Sequence, residues 1–563
     1  MEISPAAHLT DRRDVETETL SHGQNDPRFL KTSGVEAYTG NELLIKGALE
    51  AGVALITGYP GSPVSEVFDA ISYVAPLFAE RGVVAQIANN EALATARLNG
   101  ARQAGLRAMA VMKSVGLHVG ADGLAIGNLS EPRKPEGGAL VVVGDDPWNE
   151  TTQINSDSRF LSQHLHMPVL EPSTFQEVKD WIDAGFDISG FSDLYLTYLM
   201  TTNQADGGGT VTVRPHKEIP ISHRNRTTLS SADIRISDSV LIPPHTSLRE
   251  ATLSDRFARA LGRARQLGLN KWHGPRRVRL PVGFITSGLS YAYLEEVLRL
   301  LGLWERTPVL KLGMTYPVDA DAVFEIARHV EHLVVVEEKR GFLESQVAEI
   351  LNSLVQLGRL PKAPALWGKK FPDGEPGFPS VRGLNVSVVL EVLGPAFLRW
   401  KQYFPTLKVD RIESELADIR HTQTASFEVP TRTPTFCPGC PHRDSATVSM
   451  KMKKDFIEGP KPVDVIFHGE SGCHSMLQFA PNEGLMQNYS GMGLGGGTGA
   501  GMAPFVTNKQ VVFLGDSTFF HSGMIAVSDS VKNNQDITYI ILENKTTAMT
   551  GHQPTPGNEA DVM

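Results

Sequence analysis

A chain of 563 residues with 41% hydrophobic and 21% charged content has an ordinary soluble, globular makeup and room for three or four domains. A net charge of -10 excludes a main role in gripping nucleic acid or an anionic membrane. No run of ~18 apolar residues or signal-peptide core occurs, so the cytoplasm is the expected location. Three cysteines, Cys437, Cys440 and Cys473, are too few for a disulfide framework.

Residues 1–34, rich in Asp, Glu, Thr and Arg without a hydrophobic period, are expected to form a mobile leader. The first domain is expected over 35–215. In it an amphipathic helix (Asn41 to Gly52) leads into an apolar strand (Ala54 to Thr57). The turn Gly58-Tyr59-Pro60-Gly61-Ser62-Pro63 then opens another helix, with Pro63 near its first position. Apolar runs at Arg107 to Met112 and Ala139 to Val143 extend a largely parallel sheet with both faces covered. Residues 216–278 are more polar and predict a linker with one helix. A second small α/β domain is expected over 279–365, from strand and helix patterns at Val282 to Thr286, Tyr291 to Leu301, Thr307 to Leu312, Asp319 to Val330, His332 to Glu338 and Leu343 to Leu357. The Pro- and Gly-rich interval Pro361 to Arg382 begins a second linker, 366–430. The last domain, 431–563, has strands expected at Val463 to Phe467, Gln510 to Leu514 and Thr538 to Leu542, and is expected to be incomplete at its C-terminal end. The fold class is therefore α/β, in three α/β domains.

The most informative chemistry follows the apolar run Val511 to Leu514. A strand ending in Gly515-Asp516-Ser517 before a helix sets bare backbone amides and a positive helix end beside one carboxylate, which suits a diphosphate and its metal. The next strand ends in Glu543-Asn544, at a spacing that brings two strand ends together in a parallel sheet. Asp516, Asn544 and a backbone carbonyl at Thr546 are the oxygen ligands that Mg²⁺ would want. Taken alone, Gly-Asp-Ser reads more simply as a strand-to-helix turn with Asp516 as a cap.

Gly515 to Gly523 together with Asn544 to Gln553 resembles the thiamine-diphosphate signature of the large subunit of indolepyruvate ferredoxin oxidoreductases. Gly58 to Glu66, Asn90-Glu91, Met112 to Asp122, Leu170 to Ser173, Leu310 to Pro317 and Phe436 to Arg443 are similar to further landmarks in family order. The resemblance implies a transketolase-like architecture: an aminopyrimidine-binding domain, a transketolase-C-terminal-like domain and a diphosphate-binding domain. Thiamine chemistry needs a carboxylate beside the aminopyrimidine ring, and the family's position matches Glu91, otherwise a helix-start carboxylate. The resemblance places Gly58, Tyr59, Pro60 and Gly61 at the cofactor cleft. Lys113 and His118 become carboxylate-binding or proton-relay groups for a 2-oxo acid, although relatives commonly carry other residues at Ser114 and His118.

The run Gly491 to Gly499 contains a G-x-G-x-x-G match. Glu483 to Tyr489 is not a convincing strand, so the match is discounted as a dinucleotide site. By resemblance this run opens a helix beside the cofactor, with Gly491 and Gly493 as cofactor-binding positions. Cys437, Cys440 and Cys473 resemble part of a [4Fe–4S] pattern that usually needs a fourth thiolate; a zinc site using His442, His468 or His474, and free thiols, are the alternatives.

The implied reaction converts a 2-oxo acid, in this family an arylpyruvate such as indolepyruvate, and coenzyme A to acyl-CoA, CO₂ and two electrons. The implied partners are a smaller beta-type catalytic subunit and ferredoxin or a similar iron–sulfur carrier, in a hetero-oligomer. A non-oxidative thiamine decarboxylase and a non-catalytic cofactor-binding subunit are the competing readings.

Overall fold

The computed structural model describes residues 25–558, apart from 132, 133, 135, 277, 278, 426–428 and 431. Residues 1–24 of the expected leader, and residues 431 and 559–563 of the last expected domain, lie outside the described residues. The rest of the leader does not run free. Asp26 caps the short helix Pro27–Leu30, and Phe29 is fully buried, a burial worth roughly 1.5–3 kcal/mol.

The first sheet has seven strands in the spatial order Met314–Tyr316, Val169–Leu170, Leu196–Thr201, Gly138–Asp145, Arg107–Lys113, Leu55–Gly58, Val84–Ile87. All pairs are parallel except the edge pair made by Met314–Tyr316. Hydrophobic side chains lie on both faces. The helix Gly40–Ala51 starts at a capping box, in which Thr39 Oγ1 accepts from Glu42 N at 3.2 Å and Glu42 Oε2 accepts from Thr39 N at 2.9 Å. All of its residues are buried, where the sequence suggested an amphipathic helix. The correction has a physical cause: its polar positions find internal partners. Lys46 Nζ donates to Phe29 O at 3.0 Å, and Glu50 accepts from Lys179 of the neighbouring helix Phe175–Ser192.

The segment expected as the first linker is part of this body. Helix Leu253–Gln266 packs Ala260 and Ala264 into the first core, and it buries Arg256 completely. Likewise the turn at Pro63 does not open its helix directly; that helix is Glu66–Ser72.

The second sheet has the order Ala365–Trp367, Val330–Val336, Leu280–Ser287, Val309–Leu312, Lys271–His273, parallel except for the last strand. Its edge strand Lys271–His273 comes from the first expected linker, and Ala365–Trp367 straddles the boundary expected before the second. Most of the cover on one face comes from that second linker, because helices Val386–Arg399 and Val409–Thr424 bring Leu390, Leu393, Phe397 and Ile412 against Val282, Phe284 and Val334. A strand of only three residues between Pro- and Gly-rich turns carries too little pattern to be read from sequence. This body is fastened to the first: Ser287 Oγ donates to Glu171 Oε2 at 3.0 Å, and Arg159 Nη1 donates to Glu337 Oε2 at 3.1 Å.

The third sheet is wholly parallel, in the order Asn488–Ser490, Val465–Glu470, Lys509–Gly515, Ile537–Leu542. Asn488–Ser490 followed by helix Gly495–Met502 corrects the expectation that no strand precedes the glycine run: a strand, turn and helix are present there in miniature. The polar edge strand gave no apolar signal. Among the described residues no helix is long and apolar enough to cross a membrane.

Candidate functional site

In a parallel α/β sheet, ligands settle outside the carboxyl ends of the strands, where the strand order reverses. In the first sheet the chain goes from Leu55–Gly58 to its neighbour on one side and then to Arg107–Lys113 on the other, so the reversal lies between Gly58 and Lys113. In the third sheet the same logic puts the reversal between Glu470 and Gly515. These two reversal points face each other across one cleft of about 710 Å³.

The cleft brings together Tyr59, Pro60, Gly61, Glu91, Lys113 and His118 from the first body, and Gly491, Gly515, Asp516, Ser517, Asn544, Thr546 and Cys473 from the third. Gly58, Gly493, Cys437 and Cys440 do not line it. Gly58 stands behind the wall with φ +146°, and a Cβ there would meet Val111 O at 2.0 Å, so its glycine serves strand packing rather than ligand contact. Gly493, at φ +78°, lets its loop lie against Ser522, whose Cβ would be 2.5 Å from an added Cβ.

Glu91 is the first residue of helix Glu91–Gln103, whose cap Asn90 accepts from Leu93 N at 3.0 Å. Its buried carboxylate reaches across the junction to His521 Nε2 at 2.9 Å. The same junction is held by Asn90 Nδ2 donating to His521 O at 2.9 Å and Gln553 Nε2 donating to Asp69 Oδ1 at 3.0 Å. Tyr59 packs edge-on to the His521 ring; burial, with the Glu91 charge beside it, raises its phenol pKa well above the usual range. Lys113 has no hydrogen bond or ion pair among the described residues. Burial pulls its ammonium pKa down, against the opposing pull of Asp146 and Glu91.

At the other end Asp516 is buried at the start of the helical turn after Gly515. Its Oδ1 accepts from Ser517 N at 2.8 Å and its Oδ2 from Lys545 N at 2.6 Å. Asn544 Oδ1 accepts from Thr546 N at 3.1 Å. Strands Lys509–Gly515 and Ile537–Leu542 pair with Gly515 opposite Leu542, which sets Asp516 beside Asn544. A carboxylate, a carboxamide and threonine oxygens on one rim form a hard-oxygen set of the kind Mg²⁺ takes.

The thiols are neighbours of this rim. Burial pushes the Cys473 thiol up, and Cys440 and Cys437 add to the shift. Among the described residues no group of three or more His, Cys, Asp or Glu side chains has a metal-holding geometry, so the cluster and zinc expectations find no fitting site. His468 is engaged elsewhere, 2.7 Å from Gln510 Oε1.

Sequence reasoning gave no role to several lining residues. Thr151, Gln153 and Ile154 come from the loop after strand Gly138–Asp145, and only their place beyond a strand's carboxyl end could have pointed to them. His442 and His474, which the sequence offered as zinc ligands, also line the cleft, and burial lowers both ring pKa values, His474 to about 4.

A family model described as thiamine pyrophosphate enzyme, C-terminal TPP binding domain, matches residues 470–563, and one described as indolepyruvate oxidoreductase domain matches residues 271–426. The chain is 30% identical over 527 residues to indolepyruvate oxidoreductase subunit IorA of Methanothermobacter thermautotrophicus, covering 93% of this chain and 77% of that protein. It is 29% identical over 519 residues to the subunit of the same name from Archaeoglobus fulgidus, covering 92% and 76%. A solved 2-oxoglutarate:ferredoxin oxidoreductase from Magnetococcus marinus superposes with a TM-score of 0.46 at 16% identity, covering 68% of this chain and 65% of that one.

Proposed function

Because the chain belongs to the family of the indolepyruvate oxidoreductase subunit IorA, we propose that it binds thiamine diphosphate and Mg²⁺ in this cleft and oxidatively decarboxylates 2-oxo acids, with arylpyruvates such as indolepyruvate as the preferred class. The observation that carries the reading is the pairing of Glu91 from one body with Asp516 and Asn544 from the other along a single cleft. In this reading the first body is the aminopyrimidine-binding domain, the third the diphosphate-binding domain, and the second the transketolase-C-terminal-like domain.

When bound, thiamine diphosphate supplies the electron sink that decarboxylation requires. Asp516, Asn544 and Thr546 would hold Mg²⁺, and the backbone around Gly515 and Ser517 would supply the diphosphate end of the site. Glu91 would share the proton that activates the cofactor's ring, in a junction lined by the buried Tyr59. Lys113 is the cation that meets the substrate carboxylate, and its lack of a carboxylate partner leaves it available. His118, exposed at the cleft wall, is a second polar contact for the substrate. The overall balance is 2-oxo acid plus coenzyme A to acyl-CoA, CO₂, a proton and two electrons. The electrons pass to ferredoxin or a similar carrier, and a smaller beta-type subunit takes part, as the word subunit in the relatives' names suggests.

The test is reduction of a low-potential acceptor by the chain supplied with thiamine diphosphate and Mg²⁺, with and without coenzyme A and the partner chain. Activity that needs cofactor, coenzyme A and partner together, with aryl 2-oxo acids outcompeting pyruvate, is expected. Glu91→Gln should then lower turnover by about 10²- to 10⁴-fold while the fold is kept. Release of CO₂ without acceptor reduction would mark a non-oxidative decarboxylase instead.

A further inference from the structure

Glu91 and His521 stand 430 residues apart in the chain, yet their side chains meet where the first and third bodies join. His521 comes from the π-helical turn Phe519–Gly523, a type of turn frequent at functional sites. Both of its ring nitrogens are engaged: Nε2 lies 2.9 Å from Glu91 Oε2, and Nδ1 lies 2.8 Å from Ser522 Oγ. The ring is further fixed by edge-on packing on Tyr59, with centroids 4.8 Å apart, and its backbone carbonyl accepts from Asn90. Whether Glu91 is ionised or carries its proton on Oε1, its Oε2 can only accept, so Nε2 is the donor. The other oxygen, Glu91 Oε1, makes no hydrogen bond among the described residues. It lies where a Cβ on Gly116 would stand 2.4 Å away, so the bare backbone of Gly116 leaves it room at the cleft wall.

We propose that His521 is a positioning residue for Glu91. By donating Nε2–H to Oε2, with Ser522 steadying the imidazole through Nδ1, it orients the carboxylate so that Oε1 is the oxygen offered to the cofactor's aminopyrimidine ring. The inference rests on Glu91 being the activating acid. Positioning from a second body also ties that acid's aim to closure of the junction, since Asn90 and Glu91 grip the same turn.

Two measurements test it. In the cofactor-free protein labelled with ¹⁵N-histidine, the His521 signal, identified by its loss in His521→Gln, should show a pyrrole-type Nε2 that moves in Glu91→Gln. A pyridine-type Nε2 overturns the proposal. With bound thiamine diphosphate, exchange of its C2 hydrogen with solvent deuterium should fall about tenfold in His521→Ala while cofactor affinity changes less than about threefold, and His521→Gln, whose amide nitrogen can still donate, should restore most of the rate. Unchanged exchange in His521→Ala beside a large loss in Glu91→Gln overturns the positioning role alone, as does loss of affinity in step with exchange. Wild-type exchange in Glu91→Gln overturns the underlying assignment of Glu91, and this inference with it, whatever the histidine signal shows.

Discussion

Arg256 has no solvent exposure, and burial pulls its guanidinium pKa down to about 10. It remains charged because its donors reach main-chain carbonyls at the end of helix Ser114–Leu129: Leu129 O at 3.1 Å, Asn128 O at 2.6 Å and, nearby, Asp193 O. Arg256→Met keeps the aliphatic bulk but strands those buried carbonyls, so a loss of about 3 kcal/mol is expected, read as a lower unfolding midpoint in denaturant. Glu470 is the opposite case. Its Oε2 accepts from Gly495 N at 3.0 Å, yet burial pushes the carboxyl up to about 8. A folded pKa above the unfolded one means the native state binds the extra proton, so this group's stabilisation is complete below about 4.3 and is lost as pH rises toward 8. Wild type should therefore lose more melting temperature between pH 6 and 8.5 than Glu470→Gln does, and parallel curves would refute this. Neither residue announced its role in the sequence: an arginine in a polar stretch and a glutamate at a strand end become informative only when their surroundings are known. Asp516 and Asn544 were legible because two strand ends spell out their own placement. Glu91 was legible through resemblance alone.

At the scale of elements, long apolar runs were readable and short or polar ones were not. Strand Gly138–Asp145 is buried along its whole length, and its core Ala139 to Val143 could be read directly. Strands Ala365–Trp367 and Asn488–Ser490 have three residues each, and their neighbours, rather than their own pattern, decide that they pair. Helix Gly40–Ala51 shows a different limit. Its amphipathic pattern did not show that Lys46 and Glu50 are buried, because Phe29, Lys179 and the surrounding helices supply partners that only tertiary packing brings together. Helix Val386–Arg399 was hidden inside an expected linker because the turns before it are rich in Pro and Gly; its apolar face closes the second core.

At the scale of the whole molecule, the cleft is a junction, since no single body holds both Glu91 and Asp516. A ligand that touches both bodies stabilises only the arrangement in which they are joined, and by mass action it adds about 2.7 kcal/mol at a hundred times its dissociation constant. The junction's own contacts are few: among the described residues, the Glu91–His521 pair, Asn90 to His521 O and Gln553 to Asp69 are the hydrogen bonds that cross it beside the cleft. Bodies joined by so few bonds are expected to melt in separate steps when the cleft is empty and to merge into one transition when it is filled. Calorimetry should show this merging with thiamine diphosphate and Mg²⁺ together, and far less with either alone, because in the proposed reading Asp516 and Asn544 would hold the metal that the diphosphate also needs. Asp516→Ala should keep the unliganded transitions but lose most of the Mg²⁺-dependent shift. A full shift in that variant would place the metal elsewhere, and a shift confined to the transition of one body would mean that the cofactor does not span the junction.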